Sequence, residues 1–309
     1  MNIIIQLLLL AGGFFLLVKG ADWFVDGASG IASKLGVSQL IIGLTIVAMG
    51  TSLPEAAVSI TAAAAGSEGI TIGNIIGSNT MNVLVILGSA SLIAAIPVGI
   101  STVKREIPYM LLCSVVFVLL GMDGMISRLD GAILWGLFLV YLSYLFMEAR
   151  ANQEEDEDAD RLTWPRAILL VAGGLFCIIF GSDVAVDAAC AIARIAGLSE
   201  EFIGLTIVAL GTSLPELVTS VTAAAKGDTD IAIGNIVGSN IFNILFVVGT
   251  SSLLIPVPFS DGFQQDIIIM LAAGLLLWFF CFKDKRLGRL SGVIMLACYI
   301  LNFGFMVFQ

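Results

Sequence analysis

Histidine is absent from this chain of 309 residues, and charge is scarce, with Asp, Glu, Lys and Arg making up only 12%. The commonest general base and the commonest transition-metal ligand are therefore missing. An ordinary soluble domain carries about 25% charged residues. The five cysteines (Cys113, Cys177, Cys190, Cys281 and Cys298) stand singly in apolar stretches, with no CxxC spacing. They read as small buried hydrophobes rather than as a redox or thiolate-metal motif. Basic residues number 14 against 24 acidic ones. That balance excludes nucleic acid as a partner. What is abundant is apolar surface: 59% of residues are hydrophobic, more than a soluble core uses and what a bilayer demands.

A bilayer-crossing helix needs about 20 largely apolar residues. Ten segments qualify: 2–30, 38–65, 71–95, 105–122, 129–148, 165–193, 201–225, 231–255, 266–282 and 289–308. The expected fold is thus an all-α integral membrane protein of ten transmembrane helices. The first segment lacks a basic leader region and a clear cleavage site, so it is read as a span, not a signal peptide. Basic residues in the connections set the orientation. Lys34, Lys104, Arg105, Arg150, Arg161, Arg166, Lys226, Lys283, Lys285, Arg286 and Arg289 fall in one set of alternate loops, and only Arg128 and Arg194 in the other. The first set is expected to be cytoplasmic, with both termini outside a plasma (inner) membrane. A polar stretch with an acidic run, Glu154 to Asp160, separates two halves. The expected division is 1–148, a cytoplasmic linker 149–164, and 165–309. The run itself reads as a solvated linker.

The halves repeat one another. Gly43–Thr61 reads GLTIVAMGTSLPEAAVSIT, and Gly204–Thr222 reads GLTIVALGTSLPELVTSVT. ITIGNIIGSNTMN at Ile70–Asn82 returns as IAIGNIVGSNIFN at Ile231–Asn243. Glu55 and Glu216, Asn82 and Asn243, and Asp22 and Asp183 all lie 161 positions apart. Packing alone would not repeat polar residues at one offset. Five spans per half is an odd number, so the second copy is expected to enter from the opposite side. Inverted repeats with broken helices mark the midplane sites of secondary transporters.

Both copies break a span at one place, through Gly50, Pro54 and Glu55 and through Gly211, Pro215 and Glu216. Proline has no N–H and clashes with the carbonyl four residues back. The carbonyls of Gly50 and Gly211 are expected to be freed, and those of Thr51 and Thr212 loosened. Irregular backbone at membrane depth is tolerated only inside protein or beside a cavity. A carboxylate near the bilayer centre costs at least about 2.5 kcal/mol, so two at mirrored breaks point to function. Ser52 and Ser213 share the helix faces of these glutamates. Asn74, Ser78 and Asn82 form a polar stripe, repeated by Asn235, Ser239 and Asn243; interhelical hydrogen bonding is the plainer role for such groups. Gly73, Gly77, Gly234 and Gly238 are expected to serve close packing. Asp22, Asp26, Asp183 and Asp187 are expected to cap or pair near the span ends, with an access-path role as the alternative. A set made of oxygen alone selects Ca2+, Na+ or similar ions over softer metals.

GTSLPE followed by GNxxGSN, twice, resembles the α-repeats of the Ca2+/cation antiporter superfamily, the Na+/Ca2+ exchangers, over residues 10 to 305. The resemblance implies ten helices with ion sites between the second, third, seventh and eighth. It implies Ca2+ at Glu55, Glu216, Thr51 and Thr212. It implies Na+ at Ala48, Ser52 and Ser78 and at Ala209, Ser213 and Ser239, with a polar centre at Asn82 and Asn243. It also implies sliding of the long first and sixth helices during alternating access. Proton-coupled relatives carry Glu where Gly77 and Gly238 stand, and K+-dependent ones carry Asp where Asn243 stands; both departures favour Na+. The short linker implies a minimal prokaryotic member. The expected activity is Na+/Ca2+ antiport by a monomer in lipid, with no cofactor. The competing readings are a Ca2+/H+ antiporter, a Ca2+ channel and an intramembrane acid/base enzyme.

Overall fold

Small residues recur every seventh position in the first helix, at Gly13, Gly20 and Gly27, and they decide how the longest helices meet. The computed structural model describes residues 3–65, 68–151, 162–198, 203, 207 and 209–307. In it, α1 (Ile3–Leu35) runs antiparallel to α7 (Trp164–Ile195) in the most extensive helix pair of the molecule. A Cβ at Gly20 would lie 2.8 Å from the Gly174 carbonyl oxygen, and one at Gly174 would lie 2.6 Å from the Phe24 amide. Only glycine lets backbones approach this closely, the usual device for packing helices in lipid. With 33 and 32 residues, both helices are about 50 Å long and outrun the hydrocarbon layer of about 30 Å.

The first break falls where the sequence places it. Helix α2 (Gln39–Thr51) meets α3 (Leu53–Ala64) at a bend of 49°. Ser52 sits at the bend with φ −82° and ψ 7°, and Pro54 lies in the first turn of α3, where its missing N–H costs nothing. Helix α8 (Ala209–Thr212) meets α9 (Leu214–Lys226) in the same way, at Ser213 with φ −93° and ψ 3°. Between the broken elements run α4 (Ile70–Ile93) and α10 (Thr229–Leu254). Every residue of α10 from Ile231 to Phe242 is buried, the polar Asn235, Ser239 and Asn240 included. Each helix contains a π turn, starting at Asn82 and at Asn243.

The remaining helices are α5 (Ile107–Gly121), α6 (Arg128–Ala151), α11 (Gln264–Asp284) and α12 (Arg289–Val307). They form the flanks and expose large apolar side chains such as Leu139, Phe282 and Leu301. Among the described residues, six helices are individually long and apolar enough to cross a membrane, or seven if the bent α2–α3 pair is one span. The expected span 105–122 appears as a 15-residue helix preceded by a π turn at Thr102–Glu106. Part of the expected span 201–225 and the acidic run 154–160 lie outside the described residues.

Two short ribbons tie the loops together. β1 (Ile96–Pro97) pairs antiparallel with β4 (Arg286–Leu287), and β2 (Met125–Ile126) with β3 (Val257–Pro258). Moving β1 on by 161 positions gives β3, and moving β2 gives β4. Each ribbon therefore joins a loop of one half to a loop of the other.

Candidate functional site

The two glutamates come together in the centre. Glu55 and Glu216 each begin the helix after a break, and both are fully buried. Each is held by the serine of the other half: Ser52 Oγ donates to Glu216 Oε1 at 2.8 Å, and Ser213 Oγ to Glu55 Oε1 at 3.1 Å. Ser78 Oγ lies 3.4 Å from Ser213 Oγ, and Ser239 Oγ donates to the Ala48 carbonyl at 3.4 Å. Both contacts cross from one repeat to the other.

Thr51, Ser52, Ser213, Ser239, Asn82 and Asn243 are buried, as are Ser78 and Ala48. Pro215, Gly50 and Gly211 are buried too, whereas Thr212 and Pro54 are partly open. Ala209 lies in α8, next to residues outside the description. One expectation is corrected: the Gly211 carbonyl is not free, because Ser182 Oγ donates to it at 3.0 Å. A second applies to the glycines. Gly234 and Gly238 do serve close packing, since a Cβ at Gly238 would lie 2.7 Å from Ala48 Cβ and from the Leu44 carbonyl oxygen. Gly77, its counterpart, has nothing within 4 Å of such a Cβ.

The polar stripe splits into two jobs. Asn74 donates to Ser59 Oγ and Asn235 to Ser220 Oγ, both at 2.9 Å, while Thr51 donates to Asn235 Oδ1 at 3.0 Å. These bonds brace α4 against α3 and α10 against α9, the plainer of the two roles expected for them. Deeper in, Asn79 and Asn240 exchange amide-to-carbonyl bonds of 3.3 and 3.2 Å. Asn82 then donates to Asn240 Oδ1 at 2.9 Å and Asn243 to Asn79 Oδ1 at 3.1 Å. Asn79 and Asn240 fall outside the site residues expected from the sequence. Their signal was present, since both stand at the 161 offset within GSN, but they lie off the stripe at every fourth residue. Asn240→Ala removes the acceptor of the Asn82 amide, and an unsatisfied buried polar group costs about 1–3 kcal/mol. The expected result is a lower melting temperature in detergent, with a loss of similar size for Asn79→Ala.

Among the buried oxygens that have no hydrogen-bond partner among the described residues are four at this centre: Glu55 Oε2, Glu216 Oε2, Asn82 Oδ1 and Asn243 Oδ1. They form two repeat-related pairs and all are acceptors. Buried oxygens of this kind call for a positive partner. Two carboxylates with neutral oxygens around them suit a hard cation. Among the described residues no cluster of three or more His, Cys, Asp or Glu exists, so the charge available is that of the glutamate pair.

The family model described as "Sodium/calcium exchanger protein" matches residues 5–147 and again 166–308. The chain belongs to the sodium/calcium exchanger family. Each match covers one of the halves that carry the motif. Among curated relatives, the putative antiporter CaxA of Alkalimonas amylolytica is 40% identical, across 93% of this chain and 94% of its own length. The sodium/calcium exchanger MaX1 of Methanosarcina acetivorans is 34% identical, across 96% and 97%. A solved structure of the sodium-calcium exchanger NCX_Mj, soaked with zero Na+ and Ca2+, superposes with a TM-score of 0.87 at 33% identity, covering 99% of this chain and all of that one. The protein is thus an integral, multi-pass membrane exchanger.

Proposed function

We propose that this protein exchanges Na+ for Ca2+ by alternating access, with both ions using the oxygens around Glu55 and Glu216. The observation that carries the reading is the fully buried glutamate pair, each member held by the other half's serine and left with one oxygen that has no partner among the described residues. Two ionised carboxylates neutralise one Ca2+ or share several Na+. More than two Na+ per Ca2+ would make the exchange sensitive to voltage. Glu55, Glu216, Thr51 and Thr212 would take Ca2+. Ser52, Ser78, Ala48, Ser213, Ser239 and Ala209 would complete the Na+ positions, around Asn82 and Asn243.

The reading takes the chain as ten spans in two inverted halves, 1–148 and 165–309, joined by a cytoplasmic linker at 149–164. The ribbons support it, because each pairs two loops expected on the same side. The matching bonds of Ser52 to Glu216 and of Ser213 to Glu55, and the reciprocal bonds of Asn79 with Asn240, support a two-fold relation of the halves. Both termini would face outward from the inner membrane, and one copy would suffice. Proton coupling is disfavoured at 238, where the packing leaves no room for the glutamate of proton-coupled relatives.

The test is flux into vesicles. Vesicles loaded with Na+ are expected to accumulate 45Ca2+ when diluted into Na+-free buffer. Uptake that follows a pH gradient and ignores Na+ would replace this reading with Ca2+/H+ exchange. Ca2+ flux without any counter-ion would indicate a channel.

A further inference from the structure

The two ends of the ion path differ, and the sequence shows why. On the side of the basic loops α1 packs along α9, and Thr51 is fully buried. On the opposite side a cavity of about 560 Å3 separates α7 from α3, lined by Pro54, Ala57, Asp183, Asp187, Gly211 and Thr212 among others. That cavity reaches the second break, where Thr212 is partly exposed. An exact repeat would give the outward-open and inward-open arrangements equal energy, so a residue present in only one half can favour one of them.

Lys226 does so. Its ammonium lies 2.6 Å from Asp22 Oδ1, 2.6 Å from Asp26 Oδ1 and 2.9 Å from the Asp22 carbonyl oxygen, which occupies its three N–H donors. Partial burial opposes its charge, but Asp22 and Asp26 outweigh that and raise its pKa. Beside it Asp228 Oδ1 accepts from Gln39 Nε2 at 3.1 Å, and the same amide reaches Ser29 Oγ at 3.0 Å. These bonds clamp α1 to the ends of α2 and α9. None of the three has an equivalent in the other half. The counterpart of Lys226 is Ala65, that of Asp228 is Ser67, and that of Gln39 is Glu200. Asp183 and Asp187, the counterparts of Asp22 and Asp26, meet no cation among the described residues and line the open cavity instead.

We infer that Lys226 is the latch of the inner entrance: by binding Asp22 and Asp26 it holds α1 on α9 and makes the outward-open arrangement the resting one. The inference rests on alternating access as proposed above. Inward opening requires α1 to leave α9, so Lys226 must release both carboxylates, which then become the inner counterpart of Asp183 and Asp187.

The test compares accessibility at two repeat-related positions in a cysteine-free background. Ala57→Cys lines the outer cavity, and Val218→Cys is its counterpart on the inner side. Labelling by a membrane-impermeant maleimide is measured in inside-out and right-side-out vesicles. Lys226→Ala is expected to raise the ratio of inner to outer labelling by roughly fivefold, in keeping with the loss of two partly exposed ion pairs. Asp22→Asn/Asp26→Asn removes the same latch from the other partner and must move the ratio the same way. Ala65→Lys, which offers the outer mouth an equivalent lysine, is expected to act in that direction too. The inference is overturned if Lys226→Ala and Asp22→Asn/Asp26→Asn leave the ratio within about twofold of the parent, or move it in opposite directions. Na+-driven 45Ca2+ uptake by the parent vesicles is recorded alongside. Its absence would remove the antiport reading, while the labelling ratio still reports on the latch.

Discussion

Glu55→Gln and Glu216→Gln are each expected to abolish Na+-driven 45Ca2+ uptake while leaving a folded, inserted protein. Glutamine keeps the shape of glutamate and an oxygen that can still accept from Ser213 or Ser52. What it removes is one negative charge from a fully buried pair. A Ca2+ ion would then keep one positive charge uncompensated. An uncompensated buried charge costs about 3–5 kcal/mol, or about two to four orders of magnitude in binding. The fold should not suffer, because removing one of two buried like charges relieves repulsion. Thermal unfolding in Ca2+-free detergent is therefore expected at or above the parent temperature. Near-normal exchange in both variants would refute the assignment of the pair. Unfolding of both would show instead that the carboxylates are structural.

Gly238→Ala and Gly77→Ala should give opposite results, although the two positions are equivalent in the repeat. At 238 the new methyl would lie 2.7 Å from Ala48 Cβ, 2.7 Å from the Leu44 carbonyl oxygen and 2.8 Å from Leu44 Cα. Backbone cannot swing aside, so α10 has to move off α2. Overpacking of this kind costs about 1–3 kcal/mol. The shift also draws Ser239 away from the Ala48 carbonyl, so exchange should fall along with the melting temperature. At 77 the methyl meets nothing within 4 Å, and replacing a mid-helix glycine by alanine favours the helix. Gly77→Ala should melt at or above the parent temperature. Equal destabilisation by both substitutions would show that the halves pack alike, contrary to this structure.

The sequence by itself determined the components and their doubling. Gly50, Pro54 and Glu55, repeated as Gly211, Pro215 and Glu216, specify a broken helix bearing a carboxylate, because proline chemistry and the cost of buried charge are local properties. The apolar runs specified membrane helices for the same reason. Helical periodicity also reports which residues share one face of one helix, so Ser52 could be placed beside Glu55 and Asn74 beside Ser78. It does not report which helix lies opposite. The pairing of Ser52 with Glu216, the Asn79–Asn240 exchange and the differing surroundings of Gly77 and Gly238 were decided by the tertiary structure. So was the use of the Gly211 carbonyl by Ser182, which a freed-carbonyl argument alone does not foresee. An exact repeat would leave the outward-open and inward-open arrangements equal in energy. Lys226 stands in the sequence where the first half has Ala65, but only its place over Asp22 and Asp26 shows that one end is clamped and the other open.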